Sequence, residues 1–282
     1  MKYFKAFEKG MICKGKQYAE NTEYEEKGGE ICNEGMMHFC ETPFDTLDYY
    51  PLVDGNGEFS EFAEVEPLDE VVKDGNKCAS RKIRIGAKLS FKDFIKAGVD
   101  VLIESTKGAK GRKNDNGENW AKIGSSGYGA QIGSSGYGAQ IGSSGDLAKI
   151  GSSDDWAKIG SSGYGAQIGS SGDWAQIGSS GYGAHIGSSG DLAKIGSSGD
   201  WAKIGSSGYG AQIKMEGERS VAAAVGYDCT ISGKKGDWIV LAEWKKDSKG
   251  WYPACVKAGQ IDGETLKEDT MYRLVDGEFR QK

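Results

Sequence analysis

An isoleucine stands at every ninth position from Ile123 to Ile213, and an alanine stands two residues before each of them. The unit reads Ile-Gly-Ser-Ser-Gly, then Tyr or Asp, then Gly, Leu or Trp, then Ala, then Gln, Lys or His. Side chains of a strand alternate between its faces. The Ala and Ile of Ala-Gln-Ile therefore point inward and the polar residue between them outward. The pattern predicts strands of about four or five residues joined by Gly-Ser-Ser-Gly turns. A helix is excluded, because two or three glycines in nine positions would cost it about 2–3 kcal/mol per repeat against alanine. The second glycine of the turn is expected at positive φ, which glycine adopts freely. Asp154 replaces it once, and aspartate is among the few residues that tolerate that conformation.

Self-similarity at a fixed period signals a stacked repeat architecture rather than a flexible linker. Two nonapeptides complete a coil of about 18 residues, and coils stack about 4.8 Å apart. The expected array is a flattened β-solenoid with two parallel sheets around a thin Ile and Ala core. The phase continues past Ile213 at Ala222 and Ile231, with Gly217 and Gly226 in the glycine place and Cys229 in an alanine place. Such end coils are expected, since an open stack of strands must be capped. Removing one whole coil, residues 132–149, should then leave both caps in register. Calcium rolls carry aspartate within a Gly-Gly-x-Gly-x-Asp turn, which this array lacks. The outward places mix Gln, Lys, Trp, Leu and Gly, unlike the uniform face that ice binding requires.

The flanks are different in character. Residues 1–105 read as a small α/β domain. It has a strand near Lys82–Ile85, a helix from an N-cap at Ser90 to Ile103, and a short helix from Thr42 ending before Pro51. FAEVEPL and DEVVKD read as strands. Residues 106–118 form a basic linker that includes KGAKGRK. Residues 119–235 hold the solenoid. Residues 236–282 are a β-rich cap with two hairpins, turning at Asp247-Ser248-Lys249-Gly250 and at Asp276-Gly277. The fold class is mainly β: a two-sheet parallel β-solenoid between an α/β N-terminal domain and a β-rich C-terminal cap.

Charge narrows the partners. The chain has 282 residues and a net charge of −6, and residues 1–105 alone carry 14 basic and 21 acidic side chains. This balance argues against nucleic acid, and a solvated linker explains KGAKGRK better than phosphate binding does. No run approaches the length of a membrane span or a signal peptide, so the six cysteines read as reduced thiols of a cytosolic protein.

Candidate chemistry is sparse. His38 and Cys40, with Cys13 and Cys32, could ligate zinc, but the spacing has no Cys-x-x-Cys and buried thiols are the simpler account. A Cys–His nucleophilic pair at His38 lacks an orienting third group. His185 takes an outward Gln/Lys place. The run Gly-Met-Met-His-Phe-Cys followed by Tyr49 and Tyr50 is similar to the start of ADP-ribosyltransferase folds, which would make Glu64 or Glu66 the acid. No cofactor is indicated. Positions 18 apart should stack, so Trp156, Trp174 and Leu192 form a column with Trp120 two coils earlier. These outward aromatics are the candidate partner-binding residues. On the opposite side Gly129, Leu147, Gly165, Gly183 and Trp201 form a mostly bare column.

FKAFEKGMICKGKQY, EICNEGMMHFCETPFDTLDYY and FAEV resemble the N-terminal domain of a family of phage and prophage proteins of unknown function. In that family a Ser-Gly nonapeptide array follows, then a closing segment similar to GDWIVLAEW and DTMYRLVDGEF. The family's array has Ala-Ala where this chain has Ile-Gly. The resemblance implies a phage-related protein in the cytoplasm of a bacterial host and carries no catalytic residue. The expected function is non-enzymatic: a scaffold presenting a rigid solenoid to a host or phage macromolecule, a protein, or to a second copy of itself through a solenoid face. The alternative is an enzyme in the N-terminal domain with the solenoid as spacer.

Overall fold

The structure is a computed structural model and describes residues 2–27, 35–106, 115–116 and 118–282. Cys32 and most of the expected basic linker, including KGAKGRK, lie outside the described residues.

The nonapeptides form the expected solenoid. Each contributes one strand, with the pattern Gln/Lys/His-Ile-Gly-Ser up to Ser206 and Gln-Ile-Lys-Met at Gln212–Met215, and each strand pairs in parallel with the strand 18 residues on, as Ile123 with Ile141 and Ile132 with Ile150. Odd and even repeats therefore build two separate sheets. One begins at Lys122–Ser125 and Gln140–Ser143, the other at Asp115–Asn116, followed by Gln131–Ser134 and Lys149–Ser152. The parallel ladder of the second sheet reaches Leu241, past the boundary expected at 235, through Val221 against Trp238. Ile and Ala face inward as expected. The first serine of each Ser-Ser faces inward with them, so the core is made of Ile, Ala and Ser.

The turn corrects the sequence reading. Positive φ belongs to the Gly/Leu/Trp place, at Leu147 (55°), Trp156 (62°), Trp174 (60°), Leu192 (57°) and Trp201 (60°), and to glycines such as Gly165 (62°). The second glycine of Gly-Ser-Ser-Gly is needed for another reason: a Cβ on Gly145 would lie 1.9 Å from the Gly127 carbonyl oxygen, and one on Gly163 2.1 Å from that of Gly145. Backbone crosses backbone there. From Leu147 to Trp201 every Leu or Trp in the strained place follows an aspartate, and Trp120 follows Asn119, whereas every Gly there follows a tyrosine from Tyr128 to Tyr209. These aspartates brace the turn. Asp155 Oδ1 accepts the backbone N–H of Asp173 at 2.9 Å, and Asp173 Oδ1 that of Asp191 at 2.7 Å.

The head is a seven-stranded antiparallel sheet with the helix Phe91–Thr106 on one face. Ser90 caps that helix, its Oγ accepting the Asp93 N–H at 3.1 Å. The short helix expected from Thr42 is a 3₁₀ turn, Phe44–Asp48. The expected strands appear as Glu61–Pro67, Val72–Asp74 and Lys82–Leu89. Both closing hairpins also form. Trp238–Asp247 with Gly250–Gln260 ends one solenoid sheet, and Tyr272–Val275 with Glu278–Gln281 ends the other. Ile261, Leu266, Tyr272 and Leu274 from this cap close the solenoid core.

Candidate functional site

The head lies on the first solenoid sheet. The outward glycines of that sheet are filled by head side chains. A Cβ on Gly160 would be 2.4 Å from Phe44 Cζ, on Gly178 2.2 Å from Ile95 Cδ1, and on Gly196 2.7 Å from Phe59 Cε1. The neighbouring outward column of Gln and Lys is bonded to head acceptors and donors. Gln140 Nε2 donates to Asp45 at 2.7 Å, and Gln176 Oε1 accepts the Leu52 N–H at 2.6 Å. Lys214, which replaces glycine in the glycine column beside Gly196, meets Glu58 at 2.9 Å. Lys158, 2 % exposed, meets Asp48 at 2.5 Å. Sequence reasoning missed this docking. Its signal was the Ile-Gly pair, because glycine beside a core isoleucine leaves a trough that a neighbour can enter.

The second sheet carries the same columns, and no described residue packs on its glycines from Gly151 to Gly205. Gln131, Lys149, Gln167, His185 and Lys203 are exposed. A Cβ on Gly151, Gly169, Gly187 or Gly205 would meet no atom within 4 Å. The columns form a shallow trough of about 890 Å³.

The predicted aromatic column is found at a corner rather than on a sheet face, which corrects its expected outward-strand parity. Four residues after the open-sheet strand ending at Ser152 comes Trp156. Its ring stacks on Trp174 at 5.3 Å and 7°, and the two are 42 % and 43 % exposed. Trp120 leans over Gly138, where a Cβ would lie 2.5 Å from the indole, and Leu192 leans over Gly210. On the opposite corner Leu147 covers Gly165, and Arg219 lies over the Trp201 ring at 5.7 Å.

The head residues singled out by sequence are partly brought together. Cys13, His38, Cys40, Tyr49 and Tyr50 line one cavity. Burial pushes the His38 imidazole down to about 4, helped by the ammonium groups of Lys77 and Lys5, and pushes the Cys40 thiol up to about 12. Among the described residues no three His, Cys, Asp or Glu side chains are disposed to hold a metal. Glu64 and Glu66 do not line the cavity. They pair with Lys2 at 2.6 Å and Arg84 at 2.8 Å.

A family model described as a domain of unknown function, DUF7666, matches residues 1–97. That range is the head as far as the middle of its docking helix. No curated protein and no solved structure matches the chain. No helix among the described residues is long and apolar enough to cross a membrane.

Proposed function

We propose that the protein is an interaction scaffold whose open solenoid sheet receives a protein partner. The observation that carries this reading is the inequality of two sheets built from one repeat. On the covered sheet each outward glycine from Gly124 to Gly196 is required by a head side chain or by the backbone of the head helix. On the open sheet a Cβ on any outward glycine from Gly151 to Gly205 would meet no other described residue. Glycine weakens a strand interior, and it commonly marks close approach of another surface. The head supplies the template for what fits. Apolar knobs such as Phe44 and Ile95 enter the glycine column, and carboxylates such as Asp45 and Asp48 meet the Gln and Lys column. The partner is then a protein segment with an apolar ridge flanked by acidic groups, seated over Gly151–Gly205 against Lys149, His185 and Lys203. Trp120, Trp156, Trp174 and Leu192 form its border at one corner.

The phage origin and host-cytoplasm setting belong to this reading and rest on the sequence motifs of the head, array and cap. A direct test is affinity capture from phage-infected host lysate with wild-type protein and with Gly169→Trp, which plugs the trough without touching the head. The reading expects a protein retained by wild type and lost from the variant while both melt alike. Identical captures by the two would contradict it.

A further inference from the structure

The head cavity of about 340 Å³ is of a size that takes small ligands. It opens where two neighbouring strands part. Tyr3–Phe7 and Met37–Cys40 pair at Phe4 and Cys40, and Lys5 Nζ reaches across to the His38 carbonyl oxygen at 2.9 Å. Lys5 is 5 % exposed. A buried ammonium is costly without a counter-charge, yet no carboxylate lines the cavity among the described residues. Lys5 Nζ also meets Cys13 Sγ at 3.4 Å and lies over the Phe7 and Tyr18 rings at 5.5 and 5.3 Å, and the same sulfur accepts the Tyr50 hydroxyl at 3.1 Å. Lys14, Lys16 and Lys77 add further cationic side chains to the lining, Lys16 being paired with Glu26 outside it, and Tyr18, Tyr49 and Tyr50 supply flat walls. This concentration of cations sits in a head whose overall balance is acidic. Burial lowers the Lys5 ammonium, with the Cys13 sulfur acting in the opposite direction.

We propose that this cavity binds a small organic anion carrying a flat ring, with the Lys5 ammonium as its buried counter-charge and the Cys13 thiol beside it. The anion supplies to Lys5 the carboxylate that no described residue brings to it, and its ring lies between the tyrosines, where an aromatic face also suits the neighbouring cations.

Cys13 provides the readout. The full chain is alkylated with iodoacetamide, and the rate at Cys13 is followed by peptide mass spectrometry. Cys255, half-buried in the distant cap, is the internal reference. Benzoate is the probe and benzamide its uncharged control. Benzoate should slow Cys13 about threefold at twice its Kd, as mass action requires, and leave Cys255 unchanged. Benzamide should protect neither. Equal protection by benzoate and benzamide, or no protection of Cys13 relative to Cys255, overturns the proposal. Lys5→Met should abolish the benzoate effect, and protection that survives it overturns the role given to Lys5. If that variant does not fold, the wild-type comparison of benzoate with benzamide decides alone.

Discussion

Asp154 is the one place between Gly127 and Gly226 where the backbone-crossing glycine is replaced. The sequence reading accepted it as an αL residue, but its φ is not positive and the reason for glycine there is close packing. Its side chain turns inward instead. It is fully buried, Oδ2 accepts the Ser134 hydroxyl, and Oδ1 has no hydrogen-bond partner among the described residues. Burial holds the carboxyl above its usual range, against the pull of the two serine hydrogen bonds. A buried polar group left unpaired costs about 1–3 kcal/mol, whereas glycine costs a strand or turn only about 0.5–1 kcal/mol in backbone freedom. Asp154→Gly should therefore stabilise the protein, by about 1 kcal/mol at neutral pH, measured by denaturant unfolding. A loss of stability would mean that the Ser134 bond outweighs the burial cost. The residue scale is also where the sequence was least legible. Which of two glycines carries positive φ depends on contacts 18 residues away, and a single repeat does not contain them.

At the scale of the coil the sequence was legible, because a period of nine fixes both the strand and its neighbour. Ile over Ile and Ser over Ser follow from phase alone. What phase could not disclose is that the head runs along the array. Gly124 packs on the backbone of Ile103 at one end, while Lys214 meets Glu58 and Gly57 packs on Met271 at the other. The number of coils is thereby matched to the head. Deleting residues 132–149 keeps every strand in phase but moves the later coils about 4.8 Å along the head. The bonds of Asp48 and Glu58 are then lost, in contrast to the near-wild-type stability expected from phase alone. Lys158 and Lys214 are both buried, and a buried ion left without its partner costs about 3–5 kcal/mol. The deletion variant should retain its strand signal in far-ultraviolet circular dichroism and unfold at clearly lower denaturant. Unfolding at the wild-type midpoint would mean that the head does not gauge the array.

For the molecule as a whole, the central claim is that one repeat yields two unequal faces, one closed by the head and one open. The architecture of solenoid, head and cap was readable from composition and period, but the division of the faces was not. It arises when the helix Phe91–Thr106, whose apolar face looked like ordinary core, lays Ile95, Val99 and Leu102 on the glycines of one sheet only. Gly160 and Gly169 are nine residues apart in the same repeat place, one under Phe44 and the other facing open space. The most direct measurement is the denaturant midpoint of Gly160→Thr against Gly169→Thr. Overpacking against the Phe44 ring should cost Gly160→Thr about 1–3 kcal/mol. Gly169→Thr should match or exceed wild type, by up to about 1 kcal/mol, since a β-branched residue favours an exposed strand. Equal midpoints for the two variants, or a greater loss at Gly169, would contradict the account.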